Sequence, residues 1–470
     1  MSKPSAIAVI DIGKTNAKLV VWDHQGGHIL FETDRPNRSI DGPPYRHLDT
    51  DGLWEFYLSA LHTASQDIII GKIIVTTHGA TVAVLNDEGL ALPIPDYENT
   101  YPDTINHAYD TIRDAFEQSQ SPRLPAGLNF GRQIFALEEN FADQMLKTND
   151  FLPFPQYWAW KLCGVKANEV TSLGCHSDLW RPHQKDWSHL AKSRGWDLKF
   201  PPMRKAGDVL GHIRTDIARK TGIPEDCQIY CGIHDSNASL LPLINRLDQP
   251  FTLISSGTWT ICFAIGSKTT PELNEERDTL CNVDLNGNAV PSARFMGGRE
   301  YGILANGNRK TPTTAAITRL IDNDCFAIPS FADAGGPFAQ HPGYIKNRHA
   351  LKTPKDEAAL ATLYCALMTD YCLDMIKGAG TIVIEGPFAE NPTLCGLLAQ
   401  LRHDQTILAT PDSAGTSFGA AILTMNDHAI PQRTFTTVLP STCRALESYK
   451  HEWCKMLPAA VISDSKPDSV

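Results

Sequence analysis

Asp11 and Asp235 are the residues whose surroundings best suit them to chemistry. Between Ile7 and Trp22 an apolar run carrying Ile7, Val9 and Ile10 stops at Asp11, turns through Gly13 and resumes at Leu19, Val20 and Val21. That is the pattern of a hairpin cut from a sheet core. A tight glycine turn exposes backbone N–H groups while a neighbouring carboxylate can hold hydrated Mg2+, so Asp11, Gly13, Thr15, Asn16 and Lys18 crowd a mouth fit for phosphate. Between Ile229 and Pro242 a short strand runs into Gly232, then presents His234 and Asp235, with Ser236 placed to cap a helix. An Asp at such a junction is placed like a general base, able to accept a hydroxyl proton as the oxygen attacks phosphorus. Taken singly, each stretch also has an ordinary reading, as a polar hairpin and a helix-capping Asp. The GKT at 13–15 is not the end of a P-loop, because that motif needs Gly where Ala8 stands and a helix where a strand pattern follows.

These residues need strand ends to stand on, and the chain supplies them by alternating α and β patterns. After the opening hairpin a third strand is predicted over 28–33. A helix capped by Thr50 or Asp51 comes next, its apolar face carrying Leu53, Trp54, Tyr57, Leu58 and Leu61. A buried strand over 72–77 ends in THGA, which puts His78 and Gly79 just beyond a strand's C-terminal end, where open α/β sheets bind ligands. Helices are predicted over 131–147 and 156–162. Phe251 to Gly266 is again strand, glycine turn, strand, with Gly257 corresponding to Gly13. Helices over 356–377, 392–402 and 416–425 then alternate with strands over 381–385 and 406–410. The GPFAEN junction, Gly386 to Asn391, offers backbone at a strand end where a base and ribose could lie. Two such hairpins, each opening a long α/β half, predict two similarly folded domains with a cleft between them.

Composition narrows the class. A chain of 470 residues is long for one core, and 42% hydrophobic with 20% charged residues describes a globular protein. A net charge of −11 argues against a general nucleic-acid surface. No apolar stretch reaches membrane-spanning length and no signal-peptide core precedes the first strand, so a cytoplasmic location is expected. The twelve cysteines lie among apolar neighbours without paired CxxC motifs, which predicts buried free thiols rather than a zinc site.

Together, DIGKTNAK, GIHDSNA, SSGTWT and IEGPFAENP with SAGTSFGAAIL resemble, in order, the motifs of the FGGY family of carbohydrate kinases. The family's fold is two ribonuclease-H-like domains, related to actin and hexokinase, which implies domains at 1–246 and 247–460 with a frayed tail at 461–470. His234-Asp235, SSGTW, LGCHSDLW and GGRE resemble the rhamnulokinase and fuculokinase branch in particular. The resemblance implies Asp235 as base, Asp11 and Asp235 at Mg2+, and His78, Gly79, His234, Ser236, Arg299 and Glu300 at the sugar. It puts Gly13, Lys14, Thr15, Asn16, Lys18, Gly257, Thr258, Gly386 and Asn391 at ATP. Lys14 departs from the family's usual small or hydroxyl residue. The implied reaction is transfer of the ATP γ-phosphoryl to a primary hydroxyl of a small ketose, of L-rhamnulose or L-fuculose type. Xylulose, ribulose, a four-carbon ketose or a polyol, a non-catalytic sugar sensor and a sugar-independent hydrolase stand as alternatives. A homodimer is the base-rate expectation.

Overall fold

In a computed structural model the described residues are 5–24, 27–244, 246–308, 312–332, 335–410, 415–425 and 434–458. The tail expected at 461–470 lies outside them. Contacts divide the chain into two units. The first is built on Met1–Arg246, and it also takes in Cys281–Ala289 and the segment carrying the helix Thr416–Ile422. The second holds Leu247–Leu280 and most of the chain from Val290 onward. The domain boundary is therefore not a single cut in the sequence.

The first unit is organised on one mixed sheet. Its order is Val209–His212, Gln228–Tyr230, Ile70–Thr77, Ala6–Ile12, Asn16–Trp22 and Ile29–Pro36, with Ile233–His234 also pairing with Ile70–Thr77. Ala6–Ile12 runs parallel to Ile70–Thr77 and antiparallel to Asn16–Trp22. The opening strand is apolar at nearly every position because both sheet faces are covered, as expected for a central strand in a layered α/β unit. Ala8, Ile10 and Ile12 pack with Leu53, Tyr57 and Leu61 of the helix Thr50–Ser65 and with Trp158 of Phe154–Cys163. Ile7 and Val9 point the other way, toward Leu241 of Asp235–Ile244 and Ala420 and Ala421 of Thr416–Ile422. The period-2 alternation of a strand thus sorts one run of residues into two cores.

The second unit repeats the design. Its sheet runs from Thr279–Val283 through Ala289–Phe295, Thr260–Ile265, Phe251–Ser256, Thr381–Glu385 and Ile407–Thr410 to Thr436–Thr437. Phe251–Ser256 is antiparallel to the next strand and parallel to Thr381–Glu385, as Ala6–Ile12 is to its own neighbours. The helix Pro354–Met375 is buried along most of its length in this unit's core, and its Thr353 and Asp356 form a reciprocal cap.

Four sequence expectations differ from the observed fold. The helix expected to be capped by Thr50 or Asp51 is capped by Asp49, whose carboxylate accepts the Gly52 N–H at 2.9 Å, so both residues lie inside its first turn. The helix predicted over 131–147 is two, Phe130–Asn140 and Ala142–Leu146, because Phe141 leaves helical geometry at φ −137° and ψ 47°. Ser236 does not cap the helix after Asp235. The helix begins at Asp235 itself, whose carboxylate accepts the Ser236 N–H at 2.6 Å. The loop expected over 171–188 contains the short helix Val170–Leu173 and a small hairpin, Trp180–Arg181 with Asp186–Trp187.

Candidate active site

Sheet register brings the two aspartates together. Asp11 is in register with Thr76 on one side of Ile70–Thr77, and Ile233 is in register with Thr76 on the other side, followed by His234 opposite Thr77. Adjacent strands lie ~4.8 Å apart, so Asp11 and Asp235 leave the sheet's carboxyl edge on strands about 10 Å apart, flanking one strand end. Burial, and next the carboxylate of Asp235, push the Asp11 carboxyl up from 3.8 to about 7, with Lys18 acting against them. Lys18 stands directly across the hairpin from Asp11, its Nζ 3.9 Å from Glu32. Two neighbouring carboxylates, one driven toward its protonated form, fit a divalent cation that would relieve their repulsion. Among the described residues no group of three or more His, Cys, Asp or Glu is set to hold a metal. Asp11 and Asp235 could therefore hold only part of a coordination shell, the habit of Mg2+ sites completed by water and phosphate.

Asp235 is held by His234, whose Nε2 lies 3.1 Å from Asp235 Oδ1. The Asn237 Nδ2 donates to the Val283 carbonyl at 2.6 Å, which turns Asn237 Oδ1 toward His234 Nδ1 at 2.9 Å. An amide oxygen only accepts, so Nδ1 carries the proton. Burial lowers the His234 pKa, but Cys175 and Asp235 outweigh it and raise it well above the ordinary value. His234 is therefore an imidazolium whose Nε2–H donates to Asp235. The Cys175 thiol, pushed up by burial, is brought down to about 5 by His176 and His234. Burial likewise pushes Asp235 up, while His234, by charge and hydrogen bond, and the Ser236 N–H hold it below the ordinary carboxylate value. Its side chain keeps 28% exposure, leaving an oxygen reachable by a substrate hydroxyl.

His78 is a second polar group suited to meet a ligand. Its Nδ1 lies 3.0 Å from the Gly79 carbonyl and must donate there, so Nε2 is left as an acceptor. That Nε2 is buried with no hydrogen-bond partner among the described residues. Burial lowers the His78 pKa and keeps the ring neutral. The rings of Phe154 and Tyr97 flank it at 5.1 and 5.3 Å. Gly79 packs on His234, since a Cβ there would sit 2.8 Å from His234 Nε2. Its lack of a side chain is what lets the two histidine-bearing strand ends meet.

The opening turn is closed by the Gly13 N–H donating to Asn16 O at 2.9 Å, and the Asn37 amide braces it by donating from Nδ2 to Gly13 O at 2.8 Å. Thr15 is exposed and Asn16 Nδ2 donates to Asp34 at 3.0 Å. Lys14 does not stand open to a phosphate: its ammonium pairs with Asp96 and with Glu98 at 3.3 Å and lies 4.6 Å from the Tyr97 ring centroid. Asp96 is buried and also accepts from Ser39 and the Glu98 N–H, so the lysine serves a buried carboxylate.

In the second unit Gly257, Thr258, Arg299, Phe388 and Asn391 line a cavity of 820 Å3, with Tyr301 and Pro387 beside them. The Gly257 turn closes on Trp259 O at 2.8 Å, as the Gly13 turn closes on Asn16. Gly386 directly follows Glu385, whose carbonyl accepts from Ser256 Oγ, and that hydroxyl oxygen in turn takes the Phe388 N–H at 2.9 Å. Asn391 caps the helix Pro392–Leu401 and donates to Thr362 at 3.1 Å. Arg299 and Glu300, grouped with the sugar from the sequence, both lie in the second unit. Arg299 lines this cavity with Gly257 and Thr258. Glu300 is buried in the second unit, accepting from Tyr364 and from Ser330 Oγ at 3.2 Å, because a carboxyl in that core needs donors around it. Sequence reasoning misses Asn237, Thr171, Cys175 and Phe154. Of these, Asn237 lies in GIHDSNA three residues after His234, and Cys175 lies in LGCHSDLW, whereas Thr171 and Phe154 carry no local signal.

The whole of 6–242 matches the N-terminal domain of the FGGY family of carbohydrate kinases, and 248–433 matches a carbohydrate kinase FGGY C-terminal domain. The solved structure of a carbohydrate kinase from Novosphingobium aromaticivorans is 35% identical, with TM-score 0.89 over 96% of this chain and 98% of that one. An L-fuculokinase of Salmonella typhi is 25% identical over 301 residues, 60% of this chain and 61% of its own length. A rhamnulokinase of Oceanobacillus iheyensis is 24% identical over 268 residues, 54% of each chain. The chain thus matches somewhat over half the length of these curated relatives.

Proposed function

This chain belongs to the FGGY family of carbohydrate kinases, and from that premise we propose that it transfers the γ-phosphoryl group of ATP to a primary hydroxyl of a small ketose. The observation that carries the reading is Asp235, ionised, partly exposed and oriented by His234 at a strand end beside Asp11. Asp235 takes the proton of the acceptor hydroxyl as that oxygen bonds to phosphorus and the bond from phosphorus to the ADP oxygen breaks. His234 donates to Asp235 throughout, which fixes the carboxylate's orientation. His78 Nε2 accepts from a second sugar hydroxyl, satisfying an otherwise unpaired buried nitrogen and fixing the sugar's rotation in the site. Asp11 and Asp235 would hold Mg2+ in part, and the ion, when bound, would neutralise phosphate charge.

For the nucleotide we assign the 820 Å3 cavity, with Thr258 and Arg299 toward the phosphates and Phe388 and Asn391 toward the base and ribose. Arg299 is thereby reassigned from the sugar to ATP, and Glu300 to structural support. Lys14 is assigned to Asp96 rather than to phosphate. Likeness to L-fuculokinase and rhamnulokinase favours a deoxy ketose of the L-fuculose or L-rhamnulose type. A coupled ADP-release assay with ATP and Mg2+ across L- and D-ketoses, aldoses and polyols tests this. Release with a ketose of that type supports it, and release independent of sugar would instead mark a hydrolase.

A further inference from the structure

The base is held by residues far outside its own motif. The His234 N–H donates to Thr171 Oγ1 at 3.1 Å, and Thr171 Oγ1 in turn donates to Glu169 Oε2. The same Glu169 oxygen accepts the Thr171 N–H at 3.0 Å. Glu169, Thr171 and His234 are all buried. The chain of bonds therefore runs from a buried carboxyl through a hydroxyl to the peptide at which Ile233–His234 ends and the helix Asp235–Ile244 begins. Asn237 holds the His234 ring while Thr171 holds its main chain, so ring and backbone of the residue that orients Asp235 are fixed from separate sides.

Glu169 also has a plainer role, because it caps the four-residue helix Val170–Leu173. That role does not account for its chemistry. Both Thr171 donors go to Glu169 Oε2, so a second carboxyl oxygen is buried as well, a cost that a Ser cap with its single side-chain oxygen would avoid. Nor does it account for the Thr171 hydroxyl's bond to a residue 63 positions away.

We propose that Glu169 and Thr171 are positioning residues that fix the main chain at His234 and so aim Asp235 at the acceptor hydroxyl. The proposal rests on the reading of Asp235 as the base. Removing either group leaves the His234 N–H without an anchored acceptor and frees the junction to shift, and a shift of ~1 Å at a reacting group is costly in turnover.

The test compares Thr171→Val, Thr171→Ser, Glu169→Ala and the double variant Glu169→Ala with Thr171→Val, each with its crystal structure. Thr171→Val conserves volume and should lower kcat by roughly 30-fold, with sugar KM and ATP Kd within about 2-fold, while Thr171→Ser restores kcat to within about 3-fold. Because the two residues act in series, the double variant should be no slower than the slower single variant. In the Thr171→Val structure the 3.1 Å contact between His234 and Asp235 should open by ~1 Å or more. An unchanged kcat in Thr171→Val, losses that multiply in the double variant, or a retained contact in the Thr171→Val structure each overturn the proposal. If Glu169→Ala does not fold, Thr171→Val against Thr171→Ser still decides. A wild-type protein with no turnover on any sugar counts against the kinase reading alone, and the crystallographic comparison then decides this one.

Discussion

At the scale of single residues the chemistry depends on which atom carries a proton. His78 Nδ1 must donate to the Gly79 carbonyl, so its Nε2 can only accept, and a buried acceptor without a partner costs free energy until a ligand hydroxyl meets it. His78→Phe keeps a ring between Phe154 and Tyr97 and removes the acceptor. Sugar KM should rise about tenfold, the effect of losing one net hydrogen bond of ~1.4 kcal/mol, with ATP affinity unchanged by calorimetry. An unaltered KM would remove His78 from the sugar site. Glu169 makes a prediction about stability. Burial, opposed by its bonds from Thr171, raises its carboxyl from 4.5 to about 7. The folded state then holds more protons than the unfolded one between those values, so this group's contribution falls as pH rises through that window and levels off above it. Relative to Glu169→Gln, the wild type should lose about 3 kcal/mol of unfolding free energy between pH 4.5 and pH 8, measured by denaturant melts. A difference independent of pH would mean that folding leaves the proton affinity of this carboxyl unchanged.

At the scale of elements, strand ends are legible in the sequence and their supports are not. The runs at Ile7, Ile74, Leu253 and Val383 are apolar because they lie in central strands covered on both faces, and each stops at or just before a residue proposed for the site. The break at Phe141 has no Gly or Pro to announce it, so one long amphipathic pattern reads as one helix. The Thr171 bond to His234 joins residues 63 apart and is made by tertiary packing, which no local pattern encodes. The small residues of Thr416–Ile422, part of a stretch that resembles a family motif, pack in the first unit against Ala238 and Leu241. A Cβ at Gly419 would lie 1.8 Å from the Ala238 carbonyl on the helix that begins with Asp235. Gly419→Ala should push those helices apart and destabilise the protein by about 1–3 kcal/mol, seen as a lower denaturant midpoint. An unchanged midpoint would mean that the two helices do not pack so closely.

At the scale of the whole molecule, two units of matching topology carry different chemistry. The first presents carboxylates and a histidine acceptor at one sheet edge, and the second presents the 820 Å3 cavity with its glycine turn. Lesions in the two should therefore separate. Thr258→Val is expected to weaken ATP binding about tenfold with sugar affinity intact, by calorimetry with each ligand alone. Loss of both affinities together would undo that division. The proposed reaction turns on Asp235 accepting the hydroxyl proton, and the most direct measurement is single-turnover phosphoryl transfer by Asp235→Asn beside ATP binding by the same variant. ATP should bind normally and transfer should slow by at least ~100-fold, whereas transfer at a near wild-type rate would contradict the role of Asp235 as base.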